Sequence, residues 1–131
     1  MIIKRIKKFF LILFLSAVIY TAIDANPLSA DEVGYASYYS YECADKPMAN
    51  GKIFNPEKKT CASWFYDFGT ILIVKSLDTG LTTEVVVTDR GPNKRLVREG
   101  RIIDLSKRAF QDISGLERGL TKVVITPRLR K

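Results

Sequence analysis

Beyond residue 30 the chain alternates apolar and polar residues in short runs rather than at helical spacing. Alternation and β-branching predict strands over Val33 to Tyr39, Ile71 to Lys75, Thr82 to Val87, Arg101 to Ile103 and Lys122 to Thr126. The turn-rich link Ser76-Leu77-Asp78-Thr79-Gly80 makes a hairpin of the second and third. One helix is predicted over Leu105 to Ile113, with Leu105, Ala109, Phe110 and Ile113 on its apolar face, Asp104 or Ser106 as its cap and Gly115 at its end. The stretch from Tyr41 to Lys59 carries Pro47, Gly51 and Pro56 and reads as an irregular loop. Many short strands and one short helix favour a small closed β-barrel, because closure removes the exposed edges of an open sheet.

The first thirty residues differ in kind. Lys4, Arg5, Lys7 and Lys8 precede an apolar run from Phe9 to Ile19, followed by small and polar residues, which is the layout of a secretory signal peptide. The run is short for a membrane span. Cleavage is expected after Ala25 or Ala30, leaving a single domain over residues 31–131. No Cys lies near either point to take a lipid, so the expected product is exported, periplasmic or secreted, and soluble, without stable membrane insertion.

Removing residues 1–30 takes four basic side chains and one acid from totals of 21 and 14, leaving 17 against 13. That mild positive field suits an anionic polymer. No dense basic face with interleaved aromatics points to nucleic acid. Cys43 and Cys61 are the only cysteines. In an oxidising compartment they form a candidate disulfide, and otherwise they are two buried thiols. With no His in the chain and so few Cys, neither a metal site nor a cofactor is expected.

The chemistry concentrates where the strand Val85-Val86-Val87 runs into Thr88-Asp89-Arg90-Gly91-Pro92. Asp89 either caps a turn or faces a ligand at the barrel mouth. Asp104 precedes the predicted helix and is either a cap alone or a cap that also serves the site. Among the aromatics, Tyr39 and Trp64 are the candidates for stacking on a ligand, as large amphipathic rings that suit a half-wet site, against ordinary packing as the alternative.

Several spaced motifs appear in a familiar order: Gly34-Tyr35-Ala36-Ser37-Tyr38-Tyr39, Met48-Ala49-Asn50-Gly51, Thr60-Cys61-Ala62-Ser63, Phe68-Gly69-Thr70, Val87-Thr88-Asp89-Arg90-Gly91-Pro92 and Gly100-Arg101-Ile102-Ile103-Asp104-Leu105-Ser106. In this the chain resembles the rare lipoprotein A (RlpA) family from about Val33 to Ile125. The resemblance implies a mainly β fold, a six-stranded double-psi β-barrel with one short helix. It also implies endolytic lytic transglycosylase action on peptidoglycan, with preference for glycan strands lacking stem peptides and with 1,6-anhydro-muramic ends as products. A glycosidase that uses water needs two carboxylates, whereas here the substrate's own hydroxyl is the nucleophile and one carboxyl can serve as acid and then base. The resemblance gives that role to Asp89, with Ser63, Asp104, Asn50 and Arg90 as supporting or substrate-binding residues.

Two positions depart from the family. Its His falls at Ser63, and a hydroxyl cannot carry a proton or charge as imidazole does. Its Glu after the Ala-Asn-Gly motif is Lys52. The alternative to an enzyme is therefore a non-catalytic, expansin-like module that binds wall polysaccharide.

Overall fold

The computed structural model describes residues 31–129. The expected signal peptide, residues 1–30, lies outside the described residues. Strands β1 (Glu32–Tyr38), β2 (Thr60–Ala62), β3 (Ile71–Ser76), β4 (Thr82–Asp89), β5 (Arg101–Leu105) and β6 (Thr121–Pro127) close into a barrel in the order β1-β5-β2-β4-β3-β6. Two short helices, α1 (Lys94–Arg98) and α2 (Lys107–Ile113), flank β5 in the chain.

The expected hairpin is β3 with β4, where Leu72 faces Val85 and Val74 faces Thr83. Alternation sends Leu72, Val74, Val85, Val87, Val123 and Ile125 inward, all but removed from water, while Lys75, Glu84 and Lys122 face out. Each such apolar side chain contributes about 1.5–3 kcal/mol through burial. Phe110 and Ile113 of α2 complete the same core.

The pairs β1·β5 and β2·β4 are parallel, and each slips register once, between Tyr35 and Ala36 and between Cys61 and Ala62. At the first slip the strands approach closely. A β-carbon on Gly34 would lie 2.8 Å from the carbonyl oxygen of Gly100 and 2.8 Å from the Ile102 side chain, so only glycine fits there.

The structure adds one strand and corrects three expectations. Strand β2 is too short to show a period in the sequence, yet it sits between β4 and β5. The helix begins at Lys107, later than expected, because Leu105 and Asp104 belong to β5. Ser106 is the cap, its hydroxyl accepting the Ala109 N–H, so Asp104 does not cap the helix. The candidate disulfide is not formed. Cys61 turns into the barrel core, whereas Cys43 lies half-buried in the single turn Tyr41–Cys43, and both are free thiols. Burial, followed by the nearby Asp104 charge, pushes the Cys61 thiol far above its ordinary value and keeps it protonated.

Candidate active site at the barrel mouth

Asp89 is the last residue of β4 and Asp104 the fourth of β5. The central strand β2 brings them together, since Ala62 is the register partner of both. Their surroundings differ. Asp104 is buried, and its Oδ1 accepts from the Ser37 hydroxyl at 2.5 Å and from Arg101 Nε and Nη2 at 3.0 and 2.7 Å. Asp89 is half-exposed, and its Oδ1 accepts two backbone N–H groups, from Ala49 at 2.9 Å and Arg90 at 2.8 Å.

The Tyr39 hydroxyl donates to the second oxygen of Asp89, Oδ2, at 2.8 Å. The Tyr39 ring rests at a tilt on Phe54, centroids 4.9 Å apart. Burial first, then the hydrogen bond to Asp89 and the charges of Asp89 and Asp104, push the Tyr39 phenol far above its usual range. Tyr39 is thus a fixed neutral donor to the acid. That differs from the sugar platform expected of it, because its hydroxyl is already engaged and Phe54 packs against its ring.

Arg90 turns away from the carboxylate that precedes it. Its Nη1 donates to the carbonyls of Ser63 and Tyr66 at 2.7 and 2.8 Å, and its Cζ lies 4.0 Å from the Phe68 ring centroid. It ties the 63–68 loop to β4 and so supports the site without facing a ligand. Ser63 is fully buried, and its hydroxyl accepts the Phe65 N–H at 3.1 Å. Its link to Asp89 is through the backbone, Ser63 N–H to Asp89 carbonyl at 3.1 Å, so the expected contact of the Ser63 hydroxyl with sugar or carboxylate is replaced by a loop-shaping role.

Trp64, Phe65 and Phe68 remain 42–47% exposed on that loop. The Trp64 indole N–H donates to the Pro92 carbonyl at 2.6 Å, fixing the ring, and Lys94 Nζ lies 5.0 Å from its centroid. The Trp64 ring is thus held in place while staying exposed. Asn50 sits at the other rim, its N–H bonded to the Thr88 carbonyl at 3.3 Å and its side-chain oxygen to the Lys52 N–H at 3.0 Å.

Two hollows adjoin the carboxylates. One of about 490 Å³ lies among Ala49, Asn50, Lys52, Phe68 and Thr88, next to Asp89. The other, about 450 Å³, lies among Ser37, Tyr38, Tyr41 and Arg101, next to Asp104. Sequence reasoning named neither Ala49 as a holder of Asp89 nor Arg101 as the partner of Asp104. The Arg101 spacing of three residues was visible, but along a strand it carries no general rule.

A closed six-stranded barrel of this strand order, with an aspartate at the end of β4 and open hollows beside it, defines a double-psi β-barrel protein. The sequence profile of the family described as lytic transglycolase matches residues 31–125, and the chain belongs to that family. It is 37% identical over 92 residues to the "Probable endolytic peptidoglycan transglycosylase RlpA" of Treponema pallidum, a match over 70% of this chain and 28% of that protein. The chain spans 24–43% of the length of the curated relatives it matches. In structure it is similar to the Streptomyces papain inhibitor, with a TM-score of 0.61 and 21% identity over 79% of this chain and 98% of that one. It is also similar to a Clavibacter michiganensis expansin in complex with cellohexaose, with a TM-score of 0.59 and 18% identity over 78% and 52%. These two likenesses concern the fold.

Proposed function

We propose that this protein is an endolytic lytic transglycosylase that cleaves peptidoglycan glycan strands, preferably those lacking stem peptides, with Asp89 as its single acid and base. The observation that carries the reading is the contrast between the two carboxylates beside Ala62. Asp104 is buried and bound by Arg101 and Ser37, whereas Asp89 is half-exposed beside a hollow. A hydrolase would need a second free carboxylate to activate water, and Asp104 is not free.

The two N–H donors on Oδ1 leave Oδ2 as the oxygen that carries the proton. Asp89 gives that proton to the glycosidic oxygen as its bond to the muramyl anomeric carbon breaks. The 6-hydroxyl of the same muramyl residue then bonds to that carbon and loses its proton to Asp89, which restores the acid and closes the 1,6-anhydro ring. Tyr39 holds Oδ2 in place through both half-reactions. Trp64 and Phe65 offer ring faces to the sugar flanks. Peptidoglycan lies outside the cytoplasm, so the reading carries with it the cleavage of residues 1–30 as a signal peptide and a domain of residues 31–131 in the periplasm or beyond.

Digestion of peptide-free glycan strands by the full chain and by Asp89→Asn, followed by mass spectrometry, tests the reading. Anhydro-muramic ends from the native protein alone are expected. A second reading, an expansin-like binding module, draws on the exposed rings of Trp64, Phe65 and Phe68. Strands bound by both proteins without any product would establish it in place of the first.

A further inference from the structure

We infer that the hollow beside Asp104 is a second sugar subsite, one that takes an acetamido sugar of the same strand with Tyr41 as its platform. The inference rests on the peptidoglycan reading above and adds a binding residue that the family motifs do not name, since the first of them ends at Tyr39 and the next begins at Met48.

Tyr41 is 60% exposed yet held still. It opens the turn Tyr41–Cys43, whose cap Ser40 accepts the Glu42 N–H at 3.3 Å. Lys107 Nζ donates to the Tyr41 hydroxyl at 2.7 Å and lies 3.9 Å from the ring centroid. Tyr38 makes a second part of the wall, its hydroxyl bonded to the Leu116 carbonyl at 3.0 Å and its ring tilted on Phe110. A ring that is both fixed and wet needs little further ordering when a pyranose face packs on it.

The polar groups of the hollow are mostly donors. Arg101 spends Nε and Nη2 on Asp104, and among the described residues its Nη1 has no partner. The Tyr41 oxygen accepts from Lys107 and the Ser40 oxygen from Glu42, which leaves both hydroxyl protons to give. Asp104 Oδ1 already receives Ser37 and Arg101, so it is closed to a ligand. Asp104 also matches the charge of Arg101, and the donors therefore suit a neutral acceptor. An acetamido group brings a carbonyl oxygen to them and a methyl to the ring. A sugar hydroxyl at the same position has no methyl and is the poorer acceptor.

The hollow adjoins the acid by two routes. Ser37 and Arg101 line it and hold Asp104, which shares Ala62 with Asp89. Ser40 and Tyr41 line it and follow Tyr39, whose hydroxyl holds Asp89. Endolytic cleavage leaves uncut sugar units on both sides of the scissile bond, so a strand seated at Asp89 has further units to lay in the hollow.

The test uses the full chain in an Asp89→Asn background, so that strands stay intact, titrated with peptide-free peptidoglycan strands and with two neutral oligomers of one length and linkage, cellohexaose and the hexamer of N-acetylglucosamine. The acetamido oligomer is expected to bind about tenfold tighter than cellohexaose, the scale of one hydrogen bond to a charged group. Tyr41→Ala is expected to weaken its binding and that of the strands about tenfold, through the lost stacking face and donor, and Tyr41→Phe to keep most of both. Arg101→Lys, which keeps a cation on Asp104 and removes the spare N–H, is expected to bind the two oligomers alike. An unchanged urea midpoint shows that Tyr41→Ala is folded. Equal affinity for the two oligomers, a preference that Arg101→Lys leaves intact, or affinities that Tyr41→Ala leaves unchanged, overturns the inference, and binding of the peptide-free strands then leaves the glycan reading standing. No binding of those strands by the chain with Tyr41 intact overturns both.

Discussion

Asp89 and Asp104 come from strands that are not paired with each other, yet both pair with Ala62, one on each side of β2. This three-residue strand assembles the site. It places a solvated acid beside a buried one and lets the two take different partners.

That difference predicts different consequences for the same substitution. Asp89→Asn is expected to lower the rate of anhydro-product release by at least about a hundredfold, the scale of a lost general acid, with little effect on unfolding by urea. Asp104→Asn is expected to cost about 2 kcal/mol of stability, because Arg101 loses a charged partner and Ser37 a charged acceptor. Urea unfolding of both variants, set beside their product yields, checks the division.

Tyr39→Phe keeps the ring on Phe54 and removes only the donor to Asp89 Oδ2. The rate of product release should fall about tenfold, as for a lost hydrogen bond to a charged group, with KM little changed. The phenol also makes a pH prediction. Its folded pKa is raised above the unfolded value of about 10, so the unfolded chain releases this proton first as pH rises. The stability it lends is complete below about pH 10 and declines above it. Unfolding midpoints on the alkaline side should therefore fall less steeply in Tyr39→Phe than in the native chain.

Ser63→His restores the residue type that the family resemblance leads one to expect there. The site does not accommodate it, since Ser63 is fully buried and its hydroxyl shapes the turn to Phe65. The variant is expected to lose about 1–3 kcal/mol through overpacking, and to gain no activity. A rise in product yield with unchanged thermal unfolding would show that the loop repacks around imidazole.

Gly34→Ala tests the closeness of β1 to β5. The added methyl would meet a backbone oxygen as well as the Ile102 side chain. About 3 kcal/mol of destabilisation is expected, near the upper end for overpacked sites, read as an earlier urea midpoint.

Strands with a regular period were legible from residue types alone. β3, β4 and β6 alternate cleanly, and the barrel follows from their number and brevity. β2 was not, because Thr60-Cys61-Ala62 is too short to display any alternation. Asp104 was misread for a related reason. It stands two residues before the true cap, and local preference does not distinguish a residue ending a strand from one opening a helix. The proposal for Asp89 starts from its motif, but the companions of that carboxylate were not legible there. Tyr39 and Ala49 lie far from it in the chain, and no local pattern announces a bond across that distance. The direction taken by Arg90 likewise depends on where the 63–68 loop offers its carbonyls.

The strand order also governs when the molecule can form. The strand neighbours of β1 in the barrel are β5 and β6, so a ribosome that makes β1 first leaves it without a paired strand until most of the chain has been synthesised. Contacts of such long sequence separation are slow to form. The β3–β4 hairpin needs only neighbouring residues, but ring closure waits for the final strand to arrive.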